Sequence, residues 1–405
     1  MANALHASLA NGTSRAARRL CVALLCALLG ALGLDAGHAS ATDQFGSLGH
    51  GAGKFIEPNG IAVDQENGDV YILDSNNERV EKFTKEGAFL LAWGWGVADG
   101  RTHALQTCTT TCHAGLPGTG AGQLSFAEGV AVDNDPLSPS HGDVYAVDIG
   151  NHRVEKFSAT GKFLVMFGGE VNDTAHKRGE TADEDVCPVK PGDSCKAGSV
   201  GPANGQFEFP VEGNFIAVGP NGTVYVGDRN RVQEFSSGGF YQSQVTLFPK
   251  LRGDVPEVGG TSELAVDSTG NLYVIRNGMS GMRKYTPQGE LQQTLDHESE
   301  PEGDEGPTPA ITVGSSGHVF VDYHENNQHH LTEYDASGAE VASFDAGMED
   351  GLHGVAYGDA IGKLYIVNTN NNVTPVVARV RIVTPPPPTN PVFSSFGILA
   401  WSLGP

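Results

Sequence analysis

Short apolar runs recur along this chain, separated by breaks rich in glycine, asparagine and charge, and they recur as an ordered set. The first run of the set reads GIAVD at Gly60, GVAVD at Gly129, FIAVG at Phe215, ELAVD at Glu263, AITVG at Ala310 and GVAYG at Gly354. The second reads VYILD, VYAVD, VYVGD, LYVIR, VFVDY and LYIVN in the same six places, and the third extends from RVEKF at Arg79 and Arg153 to ARVRI at Ala378. A fourth, clearest as FLLAWG and FLVMFG, closes the first five units. Runs so short, β-branched and aromatic, and bounded by turn residues, predict strands. Four antiparallel strands per unit, repeated six times, predict an all-β chain folded as a six-bladed β-propeller, because one unit alone cannot bury both of its apolar faces.

Two details sharpen that expectation. The third residue of the first run is Ala62, Ala131, Ala217, Ala265, Thr312 or Ala356, small in every copy, as the crowded innermost strands of a ring require. The sixth unit has three runs and then reaches Pro385-Pro386-Pro387-Pro388, and proline cannot supply ladder hydrogen bonds. At the other end, TDQFGSLG from Thr42 resembles the close of a fourth strand with no unit before it. Thr42–Ser47 is therefore expected to pair as the outer strand of the last blade and remove a pair of open edges. The chain divides into a leader (1–41), a propeller (42–384) with insertions at about 95–124 and 169–209, and a proline-rich tail (385–405).

Composition agrees with turns over helices, with 54 glycines and 22 prolines in 405 residues. Residues 1–41 carry Arg15, Arg18 and Arg19, then LCVALLCALLGALGL, then Ala39-Ser40-Ala41, the small-x-small pattern of a cleaved export signal. That run falls short of the roughly 20 residues that a membrane span needs. A secreted or envelope-exterior protein with no span after cleavage is expected, its export route open because LCVA after Arg18-Arg19 fits a twin-arginine signal only weakly. Cleavage removes three arginines and Asp35, moving the formal charge from −23 to about −25. A chain so acidic repels phosphate backbones, which excludes nucleic acid as an expected partner. Cys108, Cys112, Cys187 and Cys195 remain after the leader.

The motif P-x-G-I-A-V-D…G-x-V-Y-V-x-D…N-x-R-V-x-x-F…G resembles the NHL repeat, best over Pro58–Gly94 and Ala127–Gly168. There Asp74, Asn77 and Arg79, or Asp148, Asn151 and Arg153, sit where the family pattern places them. The third unit keeps Asp228 and Arg231, while units four to six keep the apolar skeleton and lose the Asp or the Arg. The resemblance covers about residues 42–384, and the whole chain is similar to exported bacterial NHL-repeat proteins. It implies the fold and little of the function, since NHL propellers include binding scaffolds, RNA readers and lyases.

Residues that recur from unit to unit are architecture, so Asp74, Asp148 and Asp228, with Arg79, Arg153 and Arg231, are expected to cap the turn between second and third strands and pair locally. Positions that diverge are the candidates. The residue before each first strand, near the channel mouth, is Asn59, Glu128, Asn214, Ser262, Pro309 or His353. Asn59, Glu128, Asn214 and His353 are candidate cation ligands, because carboxylate and amide oxygens suit calcium and imidazole suits zinc. Similarity to gluconolactonase-like hydrolases and to amidating or streptogramin lyases, six-bladed propellers with metal-dependent chemistry at this mouth, implies Glu128 and His353 as a catalytic pair. A polar channel lining that holds water is the plainer reading.

The insertions contain CTTTCHAG and CPVKPGDSCKAG. Each follows a fourth strand and precedes a first, so both are expected on one face, beside blade two. Thiols with His103 or His113 could bind zinc, but export favours disulfides. Three connectivities exist, and Cys108–Cys112 with Cys187–Cys195 is expected because each pair closes a short loop within one insertion. His324, His329 and His330 in HENNQHH read as a solvated turn, Glu298–Pro307 as a flexible acidic loop, and Asp133, Asn134 and Asp135 as a hairpin loop. The apolar stretch Val392–Gly404 is too short to span a bilayer. Two readings stay open: a non-enzymatic, monomeric scaffold without a cofactor that binds protein, peptide or glycan at the cell exterior, and a metal-dependent lyase or lactonase using Ca2+ or Zn2+.

Overall fold

The computed structural model describes residues 41–209, 215–229, 231–247, 261–276, 282–295, 310–325, 328–345, 352–370 and 377–385. They form six antiparallel sheets, the six blades of a propeller. Blade one runs outward from β2 (Pro58–Val63) through β3 (Val70–Asp74), β4 (Arg79–Phe83) and β5 (Phe89–Trp95) to a fifth strand, β6 (Leu105–Cys108). Blade two repeats this as β7 (Ala127–Val132), β8 (Val144–Asp148), β9 (Arg153–Phe157), β10 (Phe163–Phe167) and β11 (Val186–Cys187). Blades three to five are β12 (Ile216–Val218) to β15 (Tyr241–Thr246), β16 (Thr261–Val266) to β19 (Leu291–Leu295), and β20 (Ile311–Val313) to β23 (Glu340–Asp345). Blade six holds β24 (Leu352–Gly358), β25 (Lys363–Asn370) and β26 (Val377–Val383), with β1 (Ala41–Phe45) beside β26.

The sheets stay together because each is apolar on both faces. Ile61, Val63 and Ile72 of blade one pack with Tyr365, Val367 and Val380 of blade six, while Tyr71, Leu73 and Trp93 pack with Val130, Val132 and Val144 of blade two. A similar core fills each remaining boundary, two against three, three against four, four against five and five against six. The small residues sit where neighbouring first strands nearly touch. A Cβ on Gly60 would lie 2.3 Å from Glu128 O, and one on Gly354 would lie 2.6 Å from Asn59 O.

Antiparallel connectivity gives the ring two unlike faces. The turns between second and third strands and the connectors into each first strand emerge on one, here the connector face. The remaining hairpins emerge on the other, the hairpin face. There, side chains tie blade to blade: Gln65 N–H donates to Asn134 Oδ1 (2.9 Å), Asn134 Nδ2 to Val63 O (3.0 Å), Asp359 N–H to Gln65 Oε1 (2.8 Å) and Ser315 N–H to Asp359 Oδ2 (2.8 Å). Asp133–Asp135 thus works as a joint between blades; Asp135 Oδ2 accepts from Asn221 N–H of blade three.

β1 lies antiparallel to β26 with Phe45 opposite Val380, as Trp93 of β5 lies opposite Val80. Gly87 (φ 85°) turns its bare Cα to the Phe45 ring, where a Cβ would come within 2.5 Å, just as Gly161 (φ 79°) meets Trp93. The strand spans Ala41–Phe45, where the sequence suggested Thr42–Ser47.

Two loop regions gain detail. In HENNQHH the strands extend further than expected, β21 (Val319–Glu325) and β22 (Gln328–Tyr334) pairing His324 with His329, and His329 is buried with Nδ1 2.8 Å from Asp322 Oδ2, while Asn326 and Asn327 lie outside the described residues. Both insertions reach blade two, where Thr119 O of the first and Lys196 O of the second meet Arg153. Each supplies an outer strand to the blade before it, because the exposed edge of a fourth strand presents unpaired backbone groups. Leader residues 1–40, loop 298–307 and residues 386–405 lie outside the described residues. Among the described residues no helix is long and apolar enough to cross a membrane.

Candidate binding face

The connector face is built on three buried arginines. Arg79 follows a short turn in which Asp74 accepts from Ile56 N–H (2.7 Å), Asn77 Nδ2 (2.7 Å) and Arg79 Nε (3.1 Å). Its Nη1 then donates to His50 O (2.7 Å) and His113 O (2.9 Å), and its Nη2 to Gly51 O (2.9 Å) and Lys54 O (2.6 Å). Arg153 repeats the arrangement on Thr119 O, Lys196 O, Gly120 O and Gln123 O. Arg231 does so on Pro202 O, Ala203 O and Gln206 O. The expected local cap is thus half of the role. Each guanidinium also holds the connector that enters its blade, by charge-assisted bonds stronger than neutral ones.

These connectors are themselves a repeat that strand patterns do not reveal: GSLGHGAGKF from Gly46, GLPGTGAGQL from Gly115 and GSVGPANGQF from Gly198. Glycines are spent where backbones approach; a Cβ on Gly115 would lie 2.3 Å from Glu78 O, and one on Gly198 would lie 2.3 Å from His152 O. The insertions share this logic. Cys108–Cys112 and Cys187–Cys195 stand at bonding distance, S–S 2.08 and 1.98 Å. The residue after each second cysteine, His113 or Lys196, gives its carbonyl to the arginine of that blade. Blade three has a four-stranded sheet, and there Gln244 Oε1 takes the second place on Arg231 Nη1 (2.9 Å).

So clamped, the connectors expose apolar side chains at one repeated position. Leu48 is 47% and Val200 57% exposed, and Pro117 stands exposed between them in register. Phe126, 40% exposed, follows on the second connector, held in a left-handed conformation (φ 50°) with its N–H donating to both Glu78 oxygens at 2.9 and 3.1 Å. Burial pushes the Glu78 carboxyl up to about 7.

The mouth residues fall at the inner edge of this face. The close approaches of Gly354 to Asn59 and of Gly60 to Glu128 set the backbones of His353, Asn59 and Glu128 in succession around the axis. Their side chains differ in setting: Asn59 is half-buried, Glu128 is buried and His353 is exposed. Asn214 and Pro309 lie outside the described residues. Among the described residues, no three His, Cys, Asp or Glu side chains form a group that could hold a metal.

The NHL repeat model matches residues 55–83. Over 141 residues, 35% of this chain, the sequence is 29% identical to protein brain tumor of Drosophila melanogaster, of whose length the match spans 11%. Among solved structures, a gluconolactonase from Xanthomonas campestris aligns at 12% identity and TM-score 0.47, covering 87% of this chain and 99% of that one. A streptogramin B lyase aligns at 11% identity and TM-score 0.46, covering 84% and 97%.

Proposed function

We propose that this NHL-repeat, six-bladed propeller is an exported, non-enzymatic scaffold whose connector face holds a protein, peptide or glycan partner. One observation supports the reading: three successive connectors, each fixed by its own buried arginine, offer Leu48, Pro117 and Val200 to solvent at the same repeated position. Apolar side chains on a pre-organised frame lose little freedom on docking, which is how rigid surfaces gain affinity. The apolar character of the row points to a protein or peptide before a glycan.

A photo-reactive residue placed at Leu48 or Val200, on the protein in its native envelope, tests this directly. Both positions are expected to give a discrete cross-linked product. The same residue at Leu137, exposed on the hairpin face, is expected to give none. Equal labelling at all three positions, or at none, rejects the reading. The enzymatic alternative makes a different prediction: lactonase or lyase turnover abolished by Glu128→Ala or His353→Ala, with cross-linking at Leu48 unchanged.

A further inference from the structure

In blades one and two a buried arginine stands between two acidic side chains. Arg79 Nε is 3.1 Å from Asp74 and its Nη2 is 2.7 Å from Glu81; for Arg153 the distances to Asp148 and Glu155 are 2.9 and 2.6 Å. All six side chains are sealed from solvent. With both acids ionised, each trio would carry a net negative charge in a place where uncompensated charge is costly. One acid in each must therefore hold a proton, and donors decide which. Asp74 accepts three hydrogen bonds, and Asp148 accepts three from Ser125 N–H, Asn151 Nδ2 and Arg153 Nε. No bond in good geometry reaches the four oxygens of Glu81 and Glu155, on which the backbone N–H groups of Gly53 and Gly122 act only weakly. The two hydrogens of Arg79 Nη2 are spent on Gly51 O and Lys54 O, and those of Arg153 Nη2 on Gly120 O and Gln123 O.

Blade three contains the covalent equivalent of the protonated state. Gln233 pairs with Val226 as Glu81 pairs with Ile72 and Glu155 with Ala146, so the three share one position. Its Oε1 accepts from Gly205 N–H (2.9 Å) and its Nε2 donates to Gln206 O (2.8 Å). Gly53-Lys54 and Gly122-Gln123 are the same residues of the other two connectors. A carboxylic acid has the shape of that amide, with an O–H where glutamine has its N–H.

We propose that Glu81 and Glu155 are folded into the ring as neutral carboxylic acids, each donating its proton to a connector carbonyl, Lys54 O or Gln123 O, so that alkaline pH loosens the connectors of blades one and two. Burial, set against the nearby arginine, acts in the same direction, pushing Glu81 up to about 9 while Asp74 rises only to about 6, and in blade two it raises both Glu155 and Asp148. The ionisable residues that meet Arg79 from the connector, His50 and Lys54, and from the insertion, His113, do so through their carbonyls. Around Glu155 the insertion brings Lys196 by its carbonyl, and the connector from Gly115 to Phe126 has no ionisable side chain.

The linkage has a definite sign. Between the unfolded carboxyl range near 4.3 and the folded values, the native state holds protons that the unfolded chain has released, so stability falls as pH rises. Each group raises the unfolding constant by up to about tenfold per pH unit in that window. The double variant Glu81→Gln, Glu155→Gln is expected to be more stable than the parent near neutrality, with the advantage shrinking by up to about a hundredfold in the unfolding constant per unit as the pH is lowered. An advantage that does not vary with pH, or a variant less stable at neutral pH, overturns the proposal. The parent protein gives a second measurement: its infrared spectrum in heavy water at neutral pH should contain the carbonyl stretch of a protonated carboxylic acid, lost on unfolding at the same pH. Absence of that band overturns the proposal even if the variant does not fold.

Discussion

A single guanidinium holds each of the first three blades to the loop that enters it. Replacing Arg153 by Leu would leave three connector carbonyls and that of Lys196 without their donor and Asp148 without its cation, inside a region closed to water. A loss of about 3–5 kcal/mol is expected, the usual cost of breaking a buried pair from one side, measured as a shift in the urea midpoint. A loss of less than about 1 kcal/mol, typical of exposed pairs, would contradict the clamp. The Asp and Arg were legible in the sequence because side chains recur in register. Their main targets were not, since a backbone carbonyl has no letter of its own. The change from Glu to Gln between RVEKF and RVQEF was equally visible, yet a strand pattern carries no sign of which acid will be buried beside an arginine.

At the scale of elements, the insertions show what periodicity hides. A break in a repeat reads as a loop, and only the partner edge turns it into a strand; β6 pairs with β5 and β11 with β10 over a few residues each. The disulfides hold these short strands where pairing alone is weak. In the chain-entropy picture, closing loops of this size contributes about 2–3 kcal/mol each. Reduction is therefore expected to raise amide exchange first in Leu105–Cys108 and Val186–Cys187, before the inner strands of the same blades, as read by hydrogen-exchange mass spectrometry. Simultaneous loss of protection across a whole blade would contradict this order. The cysteine pairing itself was within reach of the sequence, because each pair closes within one insertion.

For the molecule as a whole, six units and their boundaries could be read from alternating apolar runs, and the ring follows from the need to cover both faces of every sheet. The mouth was less accessible: Asn59, Glu128 and His353 share a position in the repeat, but their different burial depends on neighbours that the pattern does not specify. β1 brings Phe45 to the place that Trp93 and Phe167 occupy in their own blades. Deleting residues 42–48 is expected to lower the melting temperature, by about 2–4 °C for each kcal/mol of lost pairing and burial, and an unchanged melt would mean that this strand does not clasp the ring. The pairing of Ala41 with Val383 also fixes where the chain enters and leaves the ring, side by side at one corner on the hairpin side. A tether attached at either point would depart from the side opposite the one that carries Leu48 and Val200.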